Sequence, residues 1–314
     1  MVSDCLRLAV LSDVHGNLPA LAAVLADIQA QGVNAIASAG DMTSGTSAEE
    51  VVARLRDVVR WSIVGNHERY YAPLDGTTPE TVRRPGQQWA PQRWCYDQLS
   101  RATLQELRQL PEQAVIRMDG ADPIRLLHGA PSGIAEHLYP DRDAVALAHF
   151  RRAKILPDEV PALRDTIAPV QEPVIVCGHT HIPWAQVEGD RLVVNAGAVG
   201  SPINGDPRAQ YVILTWDGLR WHAEHRAVPY DLERVRESFE ASGYLAEGGA
   251  FAYALLRTIE TGLAWTVALL RHVYAHARDA GWEDVGALPD ELWDAGAMTF
   301  DWQAYPEPET RITP

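Results

Sequence analysis

Five polar motifs carry most of the chemistry open to this chain: Asp13-Val14-His15, Gly40-Asp41, Gly65-Asn66-His67-Glu68, the single His128, and Gly178-His179-Thr180-His181. They offer carboxylate, imidazole and amide oxygen donors without a thiolate, the set preferred by hard-to-borderline divalent ions such as Mn, Fe, Zn or Mg. Two such ions about 3.5–4 Å apart need a shared ligand, and a carboxylate can bridge because it has two oxygens. Asp41, alone in its motif, is the candidate bridge. Such an ion pair lowers the pKa of a water held between the ions and steadies charge growing on a phosphoryl group. Taken singly, Asp-x-His and Gly-Asp are common, and His128 alone reads as a core histidine. The ordered set carries the meaning, given a structural context that gathers it.

That context is visible in the apolar runs before each motif: Leu8 to Leu11, Ala35 to Ala37, Trp61 to Val64, Ile124 to Leu127 and Val174 to Val176. Loops leaving the carboxyl ends of strands collect at one edge of an open α/β sheet, so distant ligands can converge there. Leu18, Leu21, Ala22 and Leu25 recur at helical spacing after the first motif, and Ala48 to Val58 continues the alternation. Residues 69 to 94 mix prolines, glycines, arginines and aromatics and read as a long excursion outside the core. Further strands are expected at Ala114 to Met118, Trp184 to Val187, Arg191 to Asn195, Tyr211 to Trp216 and Leu219 to Ala223, with turns at Asp119-Gly120, Gly189-Asp190 and Asp217-Gly218. A mixed sheet follows. After about Pro229 only helical patterns remain: Leu232, Val235 and Phe239 share one face, and Phe251, Leu255, Ile259, Leu263 and Val267 form a long apolar stripe.

The chain has 314 residues, enough for one large domain or two modest ones, and 42 acidic against 27 basic side chains give a formal charge of −15. That balance argues against a general surface for nucleic acid or anionic membrane. Lys154 is the only lysine, which leaves neither a P-loop Gly-Lys-Ser/Thr element nor a ready Schiff base. Cys5, Cys95 and Cys177 are scattered, unlike a disulfide framework, and a reducing cytoplasm is expected. The apolar run before Ser12-Asp13 is too short for a signal peptide, and no stretch reaches the roughly 18 apolar residues of a membrane helix.

In this order the motifs read D-x-H, G-D, G-N-H-[DE], H, G-H-x-H, and the chain resembles the calcineurin-like metallophosphoesterase superfamily over roughly residues 6 to 225. Ser12-Asp13-Val14-His15-Gly16-Asn17, Leu127-His128-Gly129-Ala130-Pro131 and the run from Asn195 to Pro202 look most like its small bacterial phosphodiesterase-type branch. The resemblance implies an α/β fold of two mixed sheets packed as a sandwich and flanked by helices. It assigns Asp13, His15 and His181 to a first metal and Asn66, His128 and His179 to a second, with Asp41 bridging. The implied cofactor is two divalent ions, Mn first, with Fe, Zn, Ni or Mg as alternatives. The implied reaction is attack on a small phosphate ester by a hydroxide held between the ions. His67 would face the scissile phosphate, to protonate the leaving oxygen or to stabilise charge on the phosphoryl group, general acid help being worth about 10²–10⁴ in rate.

Catalytic roles are therefore expected for His67, Asp41 and Glu68, the last by orienting His67; its simpler reading is a backbone cap or solvated turn. Asn17 can offer an amide to the phosphate or to a group that supports a metal ligand, and its simpler reading is likewise backbone capping or a solvated turn. Arg83 and Arg84, in the excursion that leaves the Gly-Asn-His-Glu block, are expected at the substrate rim with His67 and Asn17. His137, His149, His222, His225, His272 and His276 lack a strand-end setting, and Cys177 reads as a packed apolar side chain. The expected layout is a catalytic domain over residues 1–228 and a helical extension over 229–314 that packs on it, homo-oligomerisation through the extension being the alternative. The expected activity is a phosphodiesterase for a cyclic nucleotide or other small phosphodiester. Its rivals are a phosphomonoesterase acting on a nucleotide or phosphoprotein, and a non-catalytic scaffold.

Overall fold

The computed structural model describes residues 6–70 and 86–305. Two five-stranded mixed sheets pack face to face. The first is built from Arg7–Leu11 (β1), Ala35–Ser38 (β2), Trp61–Ser62 (β3), Ala209–Trp216 (β9) and Trp221–Val228 (β10), in the order β10-β9-β1-β2-β3. The second is built from Gln113–Ile116 (β4), Ile124–Leu127 (β5), Val174–Cys177 (β6), Trp184–Glu188 (β7) and Arg191–Asn195 (β8), in the order β4-β5-β6-β8-β7. β1, β2 and β3 run parallel, as do β5, β6 and β8, so their carboxyl ends meet along one edge.

Period-2 alternation explains why these strands read as unbroken apolar runs. In β1, Leu8 and Val10 face the opposite sheet while Ala9 and Leu11 face a helical layer. In β6, Val174 and Val176 enter the core between the sheets, and Ile175 and Cys177 enter the cluster beneath the helix Ala144–Arg152. Both faces are covered, giving the expected sandwich flanked by helices. Among the described residues no helix is long and apolar enough to cross a membrane.

Two elements differ from the sequence expectation. The excursion ends earlier than residue 94, because Ala90–Gln98 is a helix with Pro91 in its first turn, where no backbone donor is needed. It places Trp94 and Cys95 in the main apolar cluster. Leu219 is not in a strand: the Asp217 carboxylate accepts from the Leu219 and Arg220 amides, closing the turn and leaving Leu219 exposed before β10 begins at Trp221.

The C-terminal helices Leu232–Ala241, Tyr244–Thr261, Trp265–Asp279 and Asp290–Thr299 follow β10. Val235, Phe239, Tyr244, Leu255 and Ile259 belong to the same apolar cluster as Leu21, Val24 and Tyr211. A separate cluster around Trp265, Leu269, Val273 and Trp293 holds the outer helices together. The change of character near residue 228 thus marks a change of element type, while the apolar interior runs across it.

Candidate metal centre

The polar motifs converge where the parallel strands end, and the backbone there is held in an unusual form. Asp13, His15, Asp41, His179 and His181 all have positive φ, between 46° and 66°. Side chains other than glycine occupy that region at a cost of order 1–3 kcal/mol each, so the surroundings must hold them there. Cross-loop hydrogen bonds do so: Asp13 N to Gly40 O and His15 N to Asp41 O, both 3.0 Å, and Gly178 N to His128 O at 2.9 Å. The motif glycines are close approaches. A Cβ on Gly65 would lie 2.0 Å from Asp41 Oδ1, and one on Gly178 would lie 1.8 Å from Ser12 Oγ and 2.6 Å from Asp13 Oδ2.

Each imidazole among the ligand candidates is tethered to a backbone carbonyl through one ring nitrogen. His15 Nδ1 pairs with Thr43 O at 3.2 Å, His128 Nδ1 with Ala39 O at 2.7 Å, His181 Nδ1 with Ser201 O at 2.7 Å and His179 Nε2 with Ala135 O at 3.0 Å. The tethered nitrogen donates, so the opposite nitrogen is the one turned to the centre and able to bind a metal once it carries no proton. His15 Nε2 and His181 Nε2 then face each other at 3.1 Å, which two lone pairs tolerate only with a proton or cation between them. His181 Nε2 is also 3.3 Å from Asp13 Oδ1, a fully buried carboxylate oxygen with no hydrogen-bond partner. Its other oxygen accepts from His179 N at 2.9 Å.

Asp41 is divided in the same way. Oδ1 accepts from His67 N at 2.9 Å, while Oδ2 lies 3.4 Å from His128 Nε2, 3.7 Å from His15 Nε2 and 3.9 Å from His67 Nε2. A single oxygen is offered to the centre of the cluster, which refines the expectation of a bridge through two. Asn66 Oδ1 lies 3.0 Å from His128 Nε2, and its amide nitrogen donates to Tyr70 Oη at 3.1 Å, which turns the oxygen inward. Donor atoms of Asp13, His15 and His181, and separately of Asp41, His128 and His179, lie within 4.8 Å of one another. His67 forms a third such group with His15 and Asp41, although its ring is a fifth exposed and faces the cleft.

The electrostatics are those of charge packed without water. Burial alone would raise the pKa of Asp13, but His181 and His128 outweigh it and hold the carboxyl down at about 2. Asp41 is lowered well below its ordinary value because His128, His67 and His15 outweigh burial. Burial, then His67, lowers His15 to about 3, and burial, then His128 and His137, lowers His179 to about 3. His128 moves the other way: burial would lower it, yet the charge and hydrogen bond of Asp41 push it up to about 9. Buried orphan oxygen, opposed lone pairs and strained ligand turns all fit divalent ions at this position.

Two expectations for the site change, and a third lies outside the described residues. Glu68 does not orient His67, since its Oε2 accepts from the amides of Asp41 (2.9 Å) and Gly65 (2.8 Å) and its Oε1 from the Thr43 amide (2.9 Å) and hydroxyl (2.7 Å). It pins the Asp41 loop to the Asn66 loop. Asn17 does not face the cleft: its Oδ1 caps α1 (Leu18–Gln31) at Ala20 N, 3.1 Å, and its amide nitrogen donates to Gly200 O, 2.9 Å. Both side chains take the simpler of the roles their types allow. Arg83 and Arg84 lie outside the described residues.

The sequence also hid residues that the fold brings to the site. His137 packs on His179 with ring centroids 4.9 Å apart, and its Nδ1 meets Tyr139 Oη at 2.8 Å. A cleft of about 150 Å³ opens over His15, Asp41, His67, His179 and His181, and its far side is formed by Phe251, Leu255, Thr258 and Thr266 of the C-terminal helices. The only signal for that far side is the apolar stripe containing Phe251 and Leu255, whose period by itself speaks of packing.

Residues 6–218 match the calcineurin-like phosphoesterase superfamily domain, and the chain belongs to that superfamily. An uncharacterized protein of Methanocaldococcus jannaschii is 29% identical over 248 residues, covering 73% of this chain and 90% of that protein. The crystal structure of a metallophosphoesterase from Sphaerobacter thermophilus superposes with TM-score 0.61 at 26% identity, covering 83% of this chain and all (100%) of that one. A hypothetical protein from Pyrococcus horikoshii OT3 shares the fold, with TM-score 0.64 at 17% identity, 82% of this chain and 98% of that one covered.

Proposed function

We propose that the protein is a metal-dependent phosphodiesterase for a small phosphodiester. The observation that carries this reading is the convergence of tethered imidazoles, orphaned Asp13 Oδ1 and the single inward oxygen of Asp41 in one buried cluster, of which His15, Asp41, His179 and His181 line a cleft. Asp13, His15 and His181 would hold one divalent ion and Asn66, His128 and His179 a second, with Asp41 shared by both; Mn suits the mixed oxygen and imidazole donors. When bound, such ions supply Lewis acidity that makes water nucleophilic near neutral pH and offsets phosphoryl charge.

The chain's own residues set the rest of the reaction. His67, fixed through its backbone to Asp41 and flanked by the rings of His15 (4.7 Å) and Tyr70 (5.2 Å), presents its imidazole to the cleft, where it can hold the proton needed by the departing ester oxygen. Glu68 and the Thr43 loop keep Asp41 in its strained turn. Preference for a diester is supported by the lining: no Arg or Lys is among the described residues of the cleft, and Ile155, Ile203, Phe251 and Leu255 make one side apolar. A diester brings one negative charge to that surface and a monoester up to two, so desolvation costs the diester less.

The test compares bis(p-nitrophenyl) phosphate with p-nitrophenyl phosphate on Mn-loaded protein, with Asp41→Asn as control. Faster diester turnover that Asp41→Asn abolishes is the expected result. Preference for the monoester would overturn the diesterase reading.

A further inference from the structure

The C-terminal helices reach the cleft by two devices in the backbone. The helix Tyr244–Thr261 breaks at Gly249, whose φ of 55° and ψ of −139° lie outside helical geometry, so the segment carrying Phe251 and Leu255 takes a new direction. At the other end Gly262, φ 67°, accepts from Gly205 N at 2.8 Å and lies so close to the loop below that an added Cβ would meet Asp206 backbone atoms at 2.7 Å. Glycine alone fits both requirements there. The next helix is tied down as well: Thr266 N donates to Thr258 Oγ1 at 3.3 Å, Ala264 joins the cluster under the second sheet, and Arg271 donates to Lys154 O at 3.2 Å. That last contact adjoins Ile155, and the Gly262 contact adjoins Ile203.

These anchors bring Phe251 and Leu255 from the C-terminal helices to the same cleft as Ile155 and Ile203, with the polar cluster lining it as well. We propose that this composite wall is a specificity site that selects esters whose organic group is an apolar aryl or alkyl group. The inference rests on the phosphoester reading above and deepens it. The phosphoryl group sits on the histidine and aspartate floor, and the organic group lies against Phe251, Leu255, Ile155 and Ile203. At about 150 Å³ the cleft is smaller than the roughly 300–1,000 Å³ pockets that engulf drug-sized ligands, so it suits a ring or short chain beside the phosphorus.

The experiment measures calorimetric Kd values of phenylphosphonate and methylphosphonate for the full-length Mn-loaded protein, its Phe251→Ala, Leu255→Ala and Phe251→Leu variants, and separately the wild-type turnover of p-nitrophenyl esters. Burial of a phenyl group predicts at least about tenfold tighter binding of phenylphosphonate by the wild type. The ratio falls to about threefold or less in Phe251→Ala and Leu255→Ala, and Phe251→Leu retains most of it. Equal affinities in the wild type, or an undiminished ratio in folded alanine variants, overturn the wall; the wild-type ratio decides even if an alanine variant does not fold. Absence of turnover with every ester would instead overturn the hydrolase reading, while the phosphonate ratio still judges the wall.

Discussion

Glu68→Gln separates a structural clamp from a catalytic acid. The carboxylate is buried and takes three amides and one hydroxyl at 2.7–2.9 Å. A glutamine keeps one acceptor oxygen, which is best placed where Oε2 was, facing the amides of Asp41 and Gly65. Its NH₂ then faces Thr43, whose hydroxyl can rotate to accept but whose amide loses its partner. One orphaned buried donor costs about 1–3 kcal/mol, and loss of charge assistance pushes the value upward. At this chain length that is a fall of roughly 1.5–4.5 °C in Tm. Glu68→Ala orphans all three amides and should cost more than the glutamine variant. Because the clamp holds Asp41, metal affinity should weaken by about 10–100-fold, as for other groups that orient a ligand. The assay is thermal unfolding of metal-free protein together with turnover against Mn²⁺ concentration. Recovery of most of kcat at saturating metal, with the lowered Tm, is expected. An unchanged Tm with a kcat loss that metal does not restore would refute the clamp and return Glu68 to catalysis.

Other consequences follow from the same geometry. Asn17→Ala removes a helix cap and should lower stability by about 0.5–2 kcal/mol while leaving KM unchanged; a KM rise without loss of Tm would contradict its role as a cap. His128, pushed up to about 9 against Asp41, is protonated at neutral pH in metal-free protein, so a metal must displace that proton. Affinity should therefore rise with pH from about 7 toward 9, with proton release visible when calorimetry is repeated in buffers of different ionisation enthalpy; pH-independent uptake would contradict it. Burial, against a weaker opposing hydrogen bond from Asn195, pushes the Cys177 thiol up to about 12. Iodoacetamide at about pH 8, below that value, should leave Cys177 unmodified in folded protein, and rapid labelling seen by mass spectrometry would show the strand to be open.

The sandwich was legible because its strands are doubly covered. Leu8 to Leu11 and Val174 to Val176 read as continuous apolar runs, and a polar motif follows each where the chain leaves the sheet. The convergence of those motifs follows from the parallel pairing of β1 with β2 and of β5 with β6. What stayed hidden depends on partners far along the chain. Asn17 and Glu68 belong to residue types that serve a phosphate or a backbone amide equally well, and only the position of Gly200, Asp41 and Thr43 decides between them. Trp94 and Cys95 were obscured by the proline and arginines around them. Phe251 and Leu255 show helical periodicity, but the break at Gly249 and the docking of Gly262 on Asp206 that turn them toward the cleft are tertiary features.

We propose that one cluster of aspartates, histidines and Asn66 would hold two divalent ions, with Asp41 shared between them. Metal content per chain, measured by plasma mass spectrometry after Mn²⁺ reconstitution and gel filtration, tests it most directly, with His181→Ala and His128→Ala beside the wild type. Two ions per chain are expected in the wild type and about one in each variant. At most one ion in the wild type, or two retained in both variants, would contradict it.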